Sequence, residues 1–154
     1  MISVSWDEFF ELSQKLAKKV QKKRFDSVVC INRGGLVVGR MLSDALGLPL
    51  GVVSAKAYDV GRAEQRKDVV VDRKISIVGD TGKTVLLVDD IADNGATFFA
   101  VKSFLEHDLG LTVNTATLFR KKGCLFDVDF FVSDGVGDWI VMPYEANEFK
   151  GSGK

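Results

Sequence analysis

Val85-Leu86-Leu87-Val88 carries no polar side chain, and an acidic pair, Asp89-Asp90, follows it directly. A strand with one face in water alternates polar and apolar residues, so a wholly apolar run predicts a central strand covered on both faces. Strand and helix patterns alternate around it. Ser27–Ile31 predicts a short strand, Leu36–Leu46 a helix stopped by Gly47 and Pro49, and Leu50–Ala57 a second strand. A helix from Ala96 to about His107, ended near Gly110, leads to strands at Val113–Phe119 and Phe130–Val132. Upstream, Ser5-Trp6-Asp7-Glu8 has the form of a capping box, and Phe9, Leu12, Leu16 and Val20 recur behind it at helical spacing. This alternation specifies an α/β fold: an open, mostly parallel twisted sheet flanked by helices. Three segments fall outside the regular pattern. Lys74–Val78 and Thr84–Val88 flank Gly79-Asp80-Thr81-Gly82 as an expected hairpin. Tyr58–Asp72 reads as a long irregular loop of the functional kind, and the tail from Gly135 onward reads as irregular.

With 154 residues, 46% of them hydrophobic, the chain suits one globular domain over residues 1–150, with 151–154 expected to be a disordered tail. The 21 basic residues balance 21 acidic ones, which removes the general electrostatic case for a nucleic-acid partner. No apolar run approaches the ~20 residues that a membrane span needs, and Asp7-Glu8 stand where a signal peptide would be apolar. Cys30 and Cys124 lie far apart in apolar surroundings and read as reduced thiols, so a cytoplasmic location is expected. His107 is the single histidine, which excludes a histidine-rich metal site and any scheme using two imidazoles.

Open α/β sheets bind ligands at the carboxyl ends of their strands. In this chain those ends lead into Arg33-Gly34-Gly35, the charged loop after Ala57, Asp89–Thr97 and Arg120-Lys121-Lys122. Asn94-Gly95-Ala96-Thr97 lies where a strand turns into a helix, and backbone N–H groups there form a site for a phosphate. Asp89, Asp90 and Asp93 immediately precede it; carboxylates so close to a phosphate suit sugar hydroxyls and a magnesium ion. The blander reading makes Asp93 a helix cap and Asp89-Asp90 a solvated strand end. Gly82-Lys83-Thr84 is no P-loop, because Ile77 stands where the first glycine is needed and a strand follows it.

Val85 to Thr97 resembles the phosphoribosyl-diphosphate (PRPP) signature of the type I phosphoribosyltransferases: four apolar residues, two acids, then Asp-Thr-Gly-x-Thr. Asn94 stands where that family usually has threonine, from which altered affinity and retained function are expected. The resemblance narrows to the short 6-oxopurine branch, the xanthine–guanine–hypoxanthine enzymes. Trp6-Asp7, Asn32–Val37, Ala57-Tyr58-Asp59, Phe119-Arg120-Lys121 and Trp139–Tyr144 resemble its segments in order.

The resemblance implies the type I fold with a small C-terminal hood near residues 120–150, purine salvage chemistry, magnesium as cofactor and a homodimer or homotetramer. It implies that Arg33 and Gly34 form the diphosphate loop, with a non-proline cis peptide there, and that Arg66 also contacts the diphosphate. Asp89 and Asp90 would hold the ribose hydroxyls, Asp90 being linked to the metal. The rest of the PRPP segment, Ile91, Ala92, Asp93, Asn94, Gly95, Ala96 and Thr97, would include the 5-phosphate loop from Asn94 onward. Asp93 would be the catalytic group, exchanging a proton beside purine N7. Lys121 would donate to the 6-oxo group, Trp139 would stack on the purine, and Ile140 and Val141 would line its other edge. Tyr58–Asp72 would close as a lid to exclude water.

Each role has a plain structural counterpart: Lys121 as one of a solvated basic triplet, Trp139 as core filling, and Tyr58, Phe98 and Phe99 as packing. Two rival functions use the same fold. A PRPP-sensing regulator that binds nucleic acid would need a further domain and a basic surface. An adenine-specific enzyme would set the Lys121 donor against adenine's own 6-amino donor.

Overall fold

The computed structural model describes residues 1–59 and 67–145. In chain order the elements are β1 (Ile2–Ser3), α1 (Trp6–Val20), β2 (Ser27–Asn32), α2 (Leu36–Leu46), β3 (Leu50–Asp59) and β4 (Lys67–Val71). They continue with β5 (Thr84–Ala92), α3 (Ala96–Ser103), a π-helical turn (Phe104–Asp108), β6 (Thr112–Lys121), β7 (Phe130–Val136), β8 (Ile140–Val141) and a 3-10 turn (Pro143–Glu145). Among the described residues six strands form one sheet in the order β4-β3-β2-β5-β6-β7. All neighbours run parallel except the antiparallel pair β3 and β4. The chain moves outward from β2 to β3 on one side, then returns to place β5 on the other. The crevice between the carboxyl ends of β2 and β5 is therefore the topological switch point, where such sheets open to ligands.

β5 occupies the centre for the reason its sequence suggests. Leu86 and Val88 pack into the layer formed with α1 and α2, beside Phe9, Leu16, Val38 and Leu42. Val85 and Leu87 pack into the opposite layer with Phe98, Val101 and Leu105. Each such burial contributes roughly 1.5–3 kcal/mol, so placing this strand at an edge would forfeit several side chains' worth of stabilisation. Helix α1 begins with the expected capping box: Glu8 N–H donates to Ser5 Oγ at 3.1 Å, and Ser5 N–H to Glu8 Oε2 at 2.7 Å. Both cysteines are buried and unbridged, and desolvation pushes the Cys30 thiol up to about 11.

Three sequence expectations are corrected. Lys67–Val71, read as irregular loop, is a strand paired with Ala55–Asp59, so the segment after Ala57 is a two-stranded arm. Residues 60–66 lie outside the described residues, and with them Arg66 and part of the expected lid; so do residues 151–154. Lys74–Val78 forms no hairpin with β5; its backbone pairs with the sheet at an isolated antiparallel bridge, Val52 to Ser76. The edges of β5 are already taken by β2 and β6, which leaves none for a hairpin partner. The tail after Gly135 is ordered where Ile140–Val141 pairs in parallel with Ile2–Ser3. A strand of two residues has no periodicity to read.

Asp26 ties the starts of β2 and β5 together: its Oδ2 accepts from Lys83 N at 2.8 Å and Thr84 N at 2.9 Å. These donors, Thr84 first, hold its carboxyl below the usual carboxylate range. A depressed folded pKa gives stabilisation that is complete above the unfolded value, about 3.9, and lost as pH falls through the folded value. Thermal melts below about pH 4 should therefore fall more steeply for wild type than for Asp26→Asn. Parallel acid slopes would remove Asp26 from the account.

Candidate active site

Four segments meet around the switch point. After β2 the Asn32–Arg33 peptide is cis, as the resemblance implied, and Asn32 Nδ2 donates to Ser54 Oγ at 3.2 Å. Gly34 then faces the acidic pair on β5 so closely that a Cβ there would lie 2.6 Å from Asp90 Oδ1 and 3.0 Å from Asp89 Oδ1. Asp90 is buried, and Asp90 N–H donates to Asp89 Oδ1 at 2.9 Å. Burial and mutual repulsion hold Asp89 well above the carboxylate range; burial raises Asp90, opposed by a hydrogen bond from Tyr144. The pair is therefore no solvated strand end. β5 runs through it to Ala92.

Beyond Ala92, Asp93 is exposed and does not cap α3; the N-cap is Gly95, with φ of 89°. The turn is shaped instead by Asn94, whose Oδ1 accepts from Ala96 N at 2.9 Å. A side chain at Gly95 is blocked twice, by its left-handed backbone and by Phe126, whose Cβ would be 2.3 Å away. Leu125 N–H donates to the Asn94 carbonyl at 3.2 Å, so the connection after β6 braces this turn. A concavity of about 70 Å³ opens here, lined by Asp89, Ile91, Ala92, Asp93, Asn94, Gly95 and Thr97. A wider cleft of about 800 Å³ lies on the other side of the cis peptide, bounded by Arg33, Ser54, Lys56, Tyr58 and Asp72.

The last pair of the β5–β6 ladder is Ala92 with Arg120, so Asp93 and Lys121 follow it on adjacent chains. Lys121 belongs to β6 and does not follow it, a small correction to the rim arrangement expected from sequence. Its Nζ donates to the Asp138 carbonyl at 2.8 Å and lies 5.9 Å from the centre of the Trp139 ring. Trp139 is 64% exposed and so is not core filling, whereas Ile140 and Val141 are buried. Ile2 N–H and Val4 N–H take the carbonyls of Trp139 and Val141 at 2.7 and 2.9 Å. Alternation along a strand turns the Ile140 carbonyl the other way.

Of the aromatics assigned to packing, Phe98 is buried, but Phe99 and Tyr58 are 67% and 49% exposed. The Tyr58 ring lies under Lys56 Nζ at 5.2 Å. Sequence reasoning gave no role to Lys56, which two-residue alternation from Ser54 and Tyr58 would have placed on the cleft side, nor to Tyr144. The Tyr144 hydroxyl donates to Asp90 Oδ2 and stands 3.3 Å from the Gly34 carbonyl. No local pattern announces that contact.

A mostly parallel sheet with a glycine turn, paired carboxylates and an aromatic–lysine edge around its switch point defines an α/β fold with a candidate ligand site. Comparison with known proteins narrows the class. The family model for the phosphoribosyl transferase domain matches residues 5–148. The purine phosphoribosyltransferase from Pyrococcus horikoshii Ot3 superposes with a TM-score of 0.78 at 29% identity, covering 93% of this chain and 92% of that one. The Helicobacter pylori xanthine-guanine-hypoxanthine phosphoribosyltransferase gives a TM-score of 0.78 at 25% identity, with 99% of each chain covered. An adenine phosphoribosyltransferase from Thermoanaerobacter pseudethanolicus shares the fold at a TM-score of 0.61 and 22% identity, over 83% of this chain and 81% of that one. The chain belongs to the phosphoribosyltransferase family and is an enzyme of that class. No helix among its described residues is long and apolar enough to cross a membrane.

Proposed function

We propose that the enzyme transfers the 5-phosphoribosyl group of PRPP to a 6-oxopurine, guanine, xanthine or hypoxanthine, giving the nucleoside 5'-monophosphate and diphosphate. The observation that carries the base assignment is Lys121, a cationic donor beside the exposed Trp139 face, on the strand paired with the one that leads to Asp93. A 6-oxo acceptor satisfies an ammonium donor; adenine's 6-amino group does not. The Helicobacter pylori relative, a xanthine-guanine-hypoxanthine phosphoribosyltransferase, supports this reading.

In this reading the turn from Asn94 to Thr97 receives the 5-phosphate, as backbone N–H groups at a helix start favour an anion. With Asn94 Oδ1 occupied by Ala96 N–H, its Nδ2 is the donor available to the phosphate in place of the family's threonine hydroxyl. Asp89 and Asp90 take the ribose hydroxyls, and Arg33 with the Gly34 backbone takes the diphosphate. The C1–O bond to diphosphate breaks as a C1–N bond to the purine forms with inversion. Asp93 exchanges the proton at N7 as the base attacks.

The donor set suits magnesium. Two adjacent carboxylates in a buried rim supply hard oxygen donors, which match an ion that completes its shell with substrate oxygens and water. Asp90 would hold it; when bound, it neutralises diphosphate oxygens and improves the leaving group. A homodimer or larger assembly and a cytoplasmic location complete the reading.

Diphosphate release with PRPP and magnesium, measured for guanine, xanthine, hypoxanthine and adenine, tests it. Oxopurines should support turnover, and Lys121→Met should raise the oxopurine KM by about 10- to 100-fold, the range of a lost charged hydrogen bond. Adenine turning over faster than every oxopurine would reverse the assignment. PRPP binding without turnover on any base would favour the regulator.

A further inference from the structure

The hood reaches the sugar end of the site through one side chain. Tyr144 sits on the 3-10 turn after β8, and that turn is fixed from within: Glu145 Oε2 accepts from Met142 N at 2.8 Å, and Glu145 N donates to the Met142 carbonyl at 3.0 Å. Its ring is held from a second direction by the start of α1. Phe9 meets it edge-on at 5.6 Å and 85°, and Trp6 lies 6.2 Å away. With ring and backbone both anchored, the hydroxyl has little freedom, and it is directed at Asp90 Oδ2 with the Gly34 carbonyl as its second neighbour. Asp90 is thus gripped on one oxygen by Tyr144 while its other oxygen faces Gly34.

We propose that Tyr144 is a positioning residue for phosphoribosyl transfer: its hydroxyl fixes the Asp90 carboxylate against the Gly34 turn in the arrangement that takes the ribose, diphosphate and metal. This rests on the function proposed above. The physical ground is that a buried carboxylate holds one orientation only while its hydrogen bonds are made, and a charged acceptor makes the strongest of them. Tyr144 supplies that donor from a segment 54 residues away along the chain. Neither Asp90 nor Gly34 has to reorganise when substrate arrives, so PRPP meets a formed site. The same hydroxyl joins the hood, where the purine would lie, to the rim where C1 would react.

The test is a double-mutant cycle read by calorimetric PRPP binding in the presence of magnesium, with kcat and KM recorded alongside. Tyr144→Phe keeps the ring and its contacts with Phe9 and Trp6, so a cooperative melt near that of wild type is expected. PRPP affinity should fall by about 10- to 100-fold, with KM for PRPP rising more than kcat falls. In an Asp90→Ala background the same substitution should change PRPP affinity by less than about twofold, because the group it positions is gone. Wild-type affinity in Tyr144→Phe would overturn the inference. Independent, multiplying losses in the double variant would also overturn it, by showing a general tether of the hood. Wild-type protein that binds no PRPP would overturn the proposed function itself, a failure visible before any variant is compared.

Discussion

Asp93→Asn is expected to lower kcat for oxopurine-dependent diphosphate release by about 10²- to 10⁴-fold, the usual span of a lost general acid–base group. The substitution keeps size and shape at an exposed position just beyond β5. The melting temperature should therefore stay near that of wild type, and PRPP binding should persist through the rim acids and the 94–97 turn. The effect then belongs to proton exchange, not to assembly of the site. A variant that turns over at the wild-type rate would assign Asp93 to surface charge and shift attention to Lys121 as the ionisable group at the base end.

Gly35→Ala should have the largest effect on stability. The glycine opens α2 directly behind the cis peptide, where a Cβ would lie 2.6 Å from the Val88 carbonyl oxygen, 2.8 Å from the Ile31 carbonyl oxygen and 3.0 Å from Ile31 N. All three atoms are backbone of the two central strands, so no rotamer change can give way. In an open helix the same replacement would gain about 1 kcal/mol from helix propensity. Here the overlap wins, with an expected loss of about 3 kcal/mol or more, since overpacking against a rigid neighbour costs 1–3 kcal/mol even where side chains can shift. For a chain of this size that lowers the melting temperature by roughly 10 °C. A melting temperature unchanged in Gly35→Ala would mean that the loop backs away from β5 without penalty, and the close packing of loop on sheet would lose its significance.

The parts of this molecule that were legible in the sequence are those whose cause is local. Helix α2 ends where Gly47 and Pro49 stop it, and α1 begins where Ser5 and Glu8 cap each other. The centre of the sheet announces itself because Val85–Val88 has no face that tolerates water. What escaped depends on partners distant in sequence. Lys67–Val71 opens with two charged residues and becomes a strand only because the end of β3 offers an edge. Lys74–Val78 alternates as a strand should, yet the edge it would need is occupied by β2 and β6. At the site, the glycine turn and the acids were visible as a string because they are contiguous. Their mutual arrangement was not. Asn94 could be read as a phosphate donor but not as the acceptor that shapes its own turn, and Tyr144 carries no mark that it reaches Asp90.

The pairing of Ile2 with Ile140 bears on how an active molecule comes into being. During synthesis β1 emerges well before β8 and remains without its partner strand while β2, α2 and β3 can already pack. Contacts that close so long a loop carry a high entropic cost and form late. A ribosome-bound fragment ending before Ile140 would hold the central sheet and the glycine turn but neither β8 nor the tyrosine that grips the acidic rim. If Tyr144 positions the rim as proposed, competence for group transfer waits until β8 has been made and has paired with β1.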